Sequence, residues 1–198
     1  MRTAIQIIQD EHRSIAAVLH ALKQLAKDAE NPDVEPRFAV FRAMICYIDQ
    51  FPERLHHPKE DRHLFPRLEE RAPQAKALIE ELRAEHVMGA QLIRDLEQAL
   101  VALEVGWQGG AKAFRAAVDA YAEFHWKHMR KEEEKLLPLA ERSLTPGDWR
   151  EIDAAFAGNE DPIADLREKD FEKLFSRIVN LAPEPIGLGD RWKKTARS

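Results

Sequence analysis

The chain has 198 residues, 44% of them hydrophobic and 33% charged, with a formal charge of −5; that length suits one domain plus an extension around a real core. The charges are interspersed, which excludes the clustered lysines and arginines of a nucleic-acid-binding face. A single cysteine, Cys46, excludes an intrachain disulfide or a thiolate metal site, and no apolar run reaches bilayer length, so the expected compartment is a reducing cytoplasm with no membrane partner.

Long runs of Ala, Leu, Glu, Lys and Arg, without any period-2 stretch of β-branched residues, predict an all-α fold. The first helix is expected from Thr3 to Ala29, with Ile5, Ile8, His12, Ile15, Leu19 and Leu22 on one stripe. The second opens at Pro36 and runs to about Arg71 through Phe38, Phe41, Ile45, Ile48 and Leu55. Pro52 and Pro58 lie inside it and predict a kink or bulge, and Pro66 is expected to break its last turns. Cys46, among Phe41, Met44, Ile45 and Ile48, is expected to be a small buried hydrophobe.

Pro73 opens the third helix, where Leu82, His86, Gly89, Ile93, Leu96, Leu100 and Leu103 alternate by three and four until Gly106–Gly110. The fourth repeats that rhythm through Phe114, Val118, Tyr121, His125, His128, Glu132, Leu136 and Leu139. Thr145 reads as an N-cap followed by Pro146, with a short helix to about Phe156. An amphipathic piece, Ile163–Asn180, and an irregular tail, Ala182–Ser198, complete the chain. The division is therefore a four-helix bundle over residues 1–145 and a C-terminal helical extension over 146–198, packed outside it.

The informative pattern is polar. His56–Glu60 and His128–Glu132 each place an imidazole and a carboxylate on one helical face, and His12 and His86 occupy apolar stripes of two further helices. Taken singly, each histidine is most simply a satisfied core or surface residue. Jointly, four imidazoles and two carboxylates in a core would cost several kcal/mol without counter-charge. A pair of cations, with iron best suited to such donors, supplies that charge. A ferritin-like alternative requires Glu-x-x-His on two helices, which occurs only on the second as Glu53–His56 and Glu60–His63.

Asp10-Glu11-His12, His56-His57-Pro58-Lys59-Glu60-Asp61, Glu85-His86 and His128 to Glu133 followed by Leu136-Leu137-Pro138 together resemble the hemerythrin-like (HHE cation-binding) family over roughly residues 1–145. The resemblance implies an up-down-up-down bundle holding two iron ions, bridged by two carboxylates and an oxo or hydroxo oxygen. His12, His56, His86 and His128 would be terminal ligands and Glu60 and Glu132 the bridges. Zinc and manganese are candidate substitutes.

Two departures stand out. Oxygen carriers of the family place a second histidine four residues after the first on the third helix, where this chain has Ala90; His57 is the expected replacement, a rim role being its alternative. Oxygen carriers also use a spacing of five for the last carboxylate, which would select Glu133; the four-residue geometry favours Glu132, leaving Glu133 solvated. His125 is a pocket-lining or alternative ligand candidate, and His63 and His20 are expected nearer the surface. Asp61 and Glu85 are candidate orienting partners.

The resemblance, with a ligand fewer than the oxygen carriers, points to binding of or reaction with a small oxidant such as dioxygen, nitric oxide or peroxide, as in a stress response; reversible oxygen carriage fits less well. The competing reading is a non-enzymatic, iron-responsive binding or sensor module. Whether the chain is an enzyme, and whether it forms a homodimer, stays open at this level.

Overall fold

The structure is a computed structural model that describes residues 3–157 together with 176, 178–180 and 182. The expectations for most of Ile163–Asn180 and the Ala182–Ser198 tail therefore lie outside the described residues. Among the described residues the chain is a helical bundle with no strand. None of its helices is long and apolar enough to cross a membrane.

Thr3 starts the first helix, Ala4–Asp28, with a reciprocal capping box: its hydroxyl accepts from the Gln6 N–H and its own N–H donates to Gln6 Oε1. The second helical rod begins at Phe38 rather than Pro36, and Arg37 is its N-cap. That rod is continuous but not uniform. α-Helix Phe38–Ile48 passes into a π-helical stretch Asp49–His56, a short α turn His57–Lys59, a second π turn Glu60–Leu64, and α-helix Phe65–Arg71. The bulge expected from the interior prolines is thus present.

A 3-10 turn, Pro73–Ala75, leads into the third helix, Lys76–Glu104. Gly106 and Gly109 take positive φ of 70° and 80° in the connection to the fourth rod, a conformation other residues adopt at a cost. The fourth rod comprises α-helix Gly110–Lys131, a π turn Glu132–Leu136 and α-helix Leu137–Ser143. A closing helix, Pro146–Ala157, follows. Thr145 and Asp148 cap it reciprocally, and Arg71 donates to both Asp148 oxygens at 2.9 and 3.1 Å. The hydrogen bond from Arg71, then those from Thr145, hold the Asp148 carboxyl well below the usual range.

Two apolar clusters fill the bundle. One gathers Leu19, Leu22, Phe41, Met44, Ile48, Leu96, Phe114 and Tyr121. The other gathers Ile8, Leu64, Phe65, Leu82, Leu136, Leu137, Ile152 and Phe156. The closing helix therefore contributes to the core, and Asp153 also accepts the Ala4 N–H at 2.7 Å. In chain order each long helical rod crosses between the two clusters through polar residues: Ile8–His12–Ile15, Ile48–His56–Glu60–Leu64, Leu82–His86–Ile93 and Tyr121–His128–Glu132–Leu136. A buried polar layer is sandwiched between two apolar ones.

Cys46 is exposed, against the sequence expectation. Phe41, Met44, Ile45, Tyr47 and Ile48 define the inward arc, and at about 100° per residue Cys46 falls nearly opposite the centre of that arc.

Candidate metal centre

Seven residues named from the sequence occupy the polar layer, and all are buried: His12, His56, His57, Glu60, His86, His128 and Glu132. They fall into overlapping groups whose donor atoms lie within 4.8 Å of one another: His12, His56, Glu60 and Glu132; Glu60, His86, His128 and Glu132; and His57, His86 and His128. The first two groups share both carboxylates. His57 joins the histidines of the second group and not those of the first.

The ring nitrogens divide the work. His12 Nε2 lies 3.1 Å from His56 Nε2 and 3.2 Å from Glu132 Oε2. His128 Nε2 lies 3.2 Å from Glu132 Oε1, while His86 Nε2 stands 3.6 Å from Glu60 Oε2. The opposite nitrogens each meet a carboxylate. Glu11 holds His56 Nδ1 at 2.6 Å, Asp61 holds His86 Nδ1 at 3.1 Å, Glu85 holds His128 Nδ1 at 2.9 Å, and Glu133 holds His12 Nδ1 at 2.9 Å.

These four acids form a closed ring. Each is adjacent in sequence to an inward donor on its own helix and reaches the histidine of the next: first helix to second, second to third, third to fourth, fourth to first. A step of one residue turns about 100° round a helix, which carries the acid from the centre towards the neighbouring helix. A carboxylate on Nδ1 fixes the tautomer that leaves Nε2 free as a donor. Glu133 is therefore neither the central carboxylate nor simply solvated: it is half-exposed and orients His12. The ring was visible in sequence only as acids beside donors. Asp61 and Glu85 take the orienting parts expected of them, and Glu11 and Glu133 complete the ring.

A further acid, Glu53, stands beside the layer. Glu53 accepts the Tyr121 hydroxyl at 3.1 Å and lies 3.2 Å from His125 Nε2 and 3.4 Å from His57 Nδ1. Burial alone would raise its carboxyl pKa, but His125 and His57 outweigh that and hold it well below the usual range. Glu53 thus faces His57 rather than pairing with His56, and the two-helix ferritin-like motif is absent. His125 is fully buried beside Glu53 and outside the donor groups. His63 and His20 are exposed, His20 packing on Trp126 with ring centroids 4.6 Å apart.

Gly89 makes the room for Glu53: a Cβ there would stand 2.9 Å from Glu53 Oε1 and 3.1 Å from Oε2. Replacing glycine by alanine inside a helix ordinarily stabilises by roughly 0.5–1 kcal/mol. Gly89→Ala is expected to reverse that sign, with a net loss of about 1 kcal/mol in a urea melt, because a fixed, buried carboxylate must shift. A gain in stability would show that Glu53 moves freely.

The electrostatics of the protein alone leave the layer incomplete. Both oxygens of Glu60 and of Glu132, and the Nε2 atoms of His86 and His128, are buried without a hydrogen-bond partner. Burial, then the neighbouring Glu132 charge, push the Glu60 carboxyl well above its usual range. Burial works against the His86 and His128 cations, yet adjacent carboxylates, Asp61 and Glu132 for His86 and Glu132 for His128, lift both to about 9. His57 is driven well down by burial, then by His86, which leaves a neutral imidazole. Orphaned oxygens and inward nitrogens, buried at several kcal/mol per uncompensated charge, fit cations of the kind that imidazole and carboxylate bind.

A cleft of about 500 Å³ opens onto this layer, lined by His57 and His86 together with Glu53, Pro58, Val87 and Ala90. Arg83 and Arg94 also line it. Ala90, where oxygen carriers have a further histidine, therefore borders open space.

A family model described as the hemerythrin HHE cation binding domain matches residues 3–140. No curated protein matches the chain.

Proposed function

Because the chain belongs to the hemerythrin HHE cation-binding domain family, we propose that it holds two iron ions and binds or reacts with a small oxidant such as dioxygen, nitric oxide or peroxide. The observation that carries the reading is the sharing of Glu60 and Glu132 between two four-residue donor groups. His12 and His56 would complete one site; His86 and His128, with His57, would complete the other. Bound iron would supply Lewis acidity and one-electron redox change.

The chain's own residues have defined parts in this proposal. The acids on the Nδ1 atoms keep each imidazole turned inward, and the two apolar clusters keep bulk water from the layer. The cleft at Ala90 leads to the site that includes His57 and His86, which favours an exchangeable ligand there rather than at the His12–His56 side. Glu53, which accepts the Tyr121 hydroxyl and lies beside His125, stands 3.4 Å from His57 Nδ1, on a residue whose ring groups with His86 and His128.

Protein purified in air should carry about two irons per chain, with near-ultraviolet charge-transfer absorption that dithionite bleaches and air restores. Iron at that ratio with absorption indifferent to reductant and to nitric oxide would favour the sensor or binding-module reading. Donors drawn from four helices support that second reading too, since loading would then be linked to folding. A chain that takes up no transition metal would end both.

A further inference from the structure

The two shared carboxylates occupy equivalent and unusual backbone positions. Glu60 is the first residue of the π turn Glu60–Leu64, and Glu132 is the first of Glu132–Leu136. Two residues beyond each turn stands a proline, Pro66 or Pro138. The pattern Glu-x-x-x-Leu-(Phe/Leu)-Pro therefore occurs twice, once on each carboxylate-bearing rod. The same relation links the π stretch Asp49–His56 to Pro58.

Proline offers no N–H to the carbonyl four residues back, here Arg62 or Glu134, and its ring crowds that carbonyl. A wider turn accommodates both faults, and π turns inside α-helices recur at functional sites. The consequence appears in the burial ladder. His56, Glu60, Leu64, Leu68 and Ala72 are all buried at steps of four, as are His128, Glu132, Leu136, Ala140 and Leu144.

In a regular α-helix every step of four drifts by about 40°, so three steps would carry Leu68 or Ala140 about 120° away from the first histidine. Under-winding by a π turn removes most of that drift. The first and third helices show the contrast: Ile8, His12, Ile15, Leu19 and Leu22, and Leu82, His86, Gly89, Ile93 and Leu96, alternate steps of three and four with no π turn.

We infer that Pro66 and Pro138 are positioning residues for metal, each enforcing the π turn that turns Glu60 or Glu132 inward while the helix beyond stays packed on the apolar core. This inference rests on the reading of Glu60 and Glu132 as shared metal donors. It extends to the backbone why both rods that supply a carboxylate break the α-helical rhythm, while both rods that supply only histidine keep it.

The test compares Pro66→Ala and Pro138→Ala with Pro73→Ala, whose proline begins a 3-10 turn after the chain has left the helix at Ala72, where φ is −137° and ψ 77°. Iron titration of the full chain should show at least about a tenfold weaker affinity for the first two, the size of loss that follows when a ligand's supporting contact is removed. Their metal-free melting temperatures should stay close to the parent's, and the charge-transfer band should shift; Pro73→Ala should leave affinity and band unchanged. Crystal structures of the metal-free variants should show the π turn replaced by regular helix.

Unchanged affinity, a persisting π turn with its glutamate in place, or an affinity loss matched by equal loss of metal-free stability would overturn the inference. Should the parent chain itself bind no metal, the functional reading fails, and the metal-free variant structures still decide whether the prolines set the turn.

Discussion

Stripping the metal from the loaded protein is expected to lower its melting temperature by roughly 10 °C. A ligand held at a thousand times its dissociation constant stabilises by about 4 kcal/mol, and a domain of this size shifts roughly 2–4 °C per kcal/mol. The physical source is the polar layer, where Glu60 and Glu132 are fully buried and none of their four oxygens accepts a hydrogen bond. Calorimetry before and after chelation checks it. A stripped protein as heat-resistant as the loaded one would mean that the core needs no cation.

The sign of the pH dependence follows from His86 and His128. Both are raised to about 9 in the folded, metal-free protein from an ordinary value of 6.5. A raised histidine favours the folded state below 6.5, and that contribution is lost as pH climbs through 9. The metal-free protein should therefore weaken between pH 6.5 and 9. Metal binding displaces those protons and gains with pH, so the gap between loaded and stripped melting curves should widen across the same window. A constant gap would place these two imidazoles away from the metal.

Removing one shared carboxylate should cost far more metal than removing one histidine. Glu132 belongs to both four-residue groups, whereas His12 belongs to one. Glu132→Gln, with a neutral amide in place of the carboxylate, should abolish most loading at both sites. His12→Ala should leave the His86–His128 site occupied, at about one iron per chain. Metal analysis of the two variants side by side distinguishes the cases. Equal loading in both, at parent level, would remove the shared-carboxylate arrangement.

Gly89 and Glu53 show why part of the site was hidden in the amino-acid string. Gly89 read as one small residue on an apolar stripe, and only packing reveals that the missing Cβ is where a carboxylate from another helix sits. Glu53 read as half of a local Glu-x-x-His pair. Its partners, Tyr121 and His125, lie 68 or more residues away, beyond the reach of any helical spacing rule.

Among the described residues, the four rods, the closing helix, their approximate limits and the candidate donors were legible along the chain, because periodicity, capping residues and proline act within a few residues of themselves. His56–Glu60 and His128–Glu132 belong to that local class, as does the expectation of irregularity near Pro52 and Pro58. Tertiary structure alone decided that Glu133 turns to His12, that His57 groups with His86 and His128 and not at the rim, and that Cys46 points outward. Those outcomes depend on the rotation of one helix against its neighbours, and a π turn shifts that rotation by nearly a residue. Local pattern says which face of a helix is polar; only the packed bundle says what that face meets.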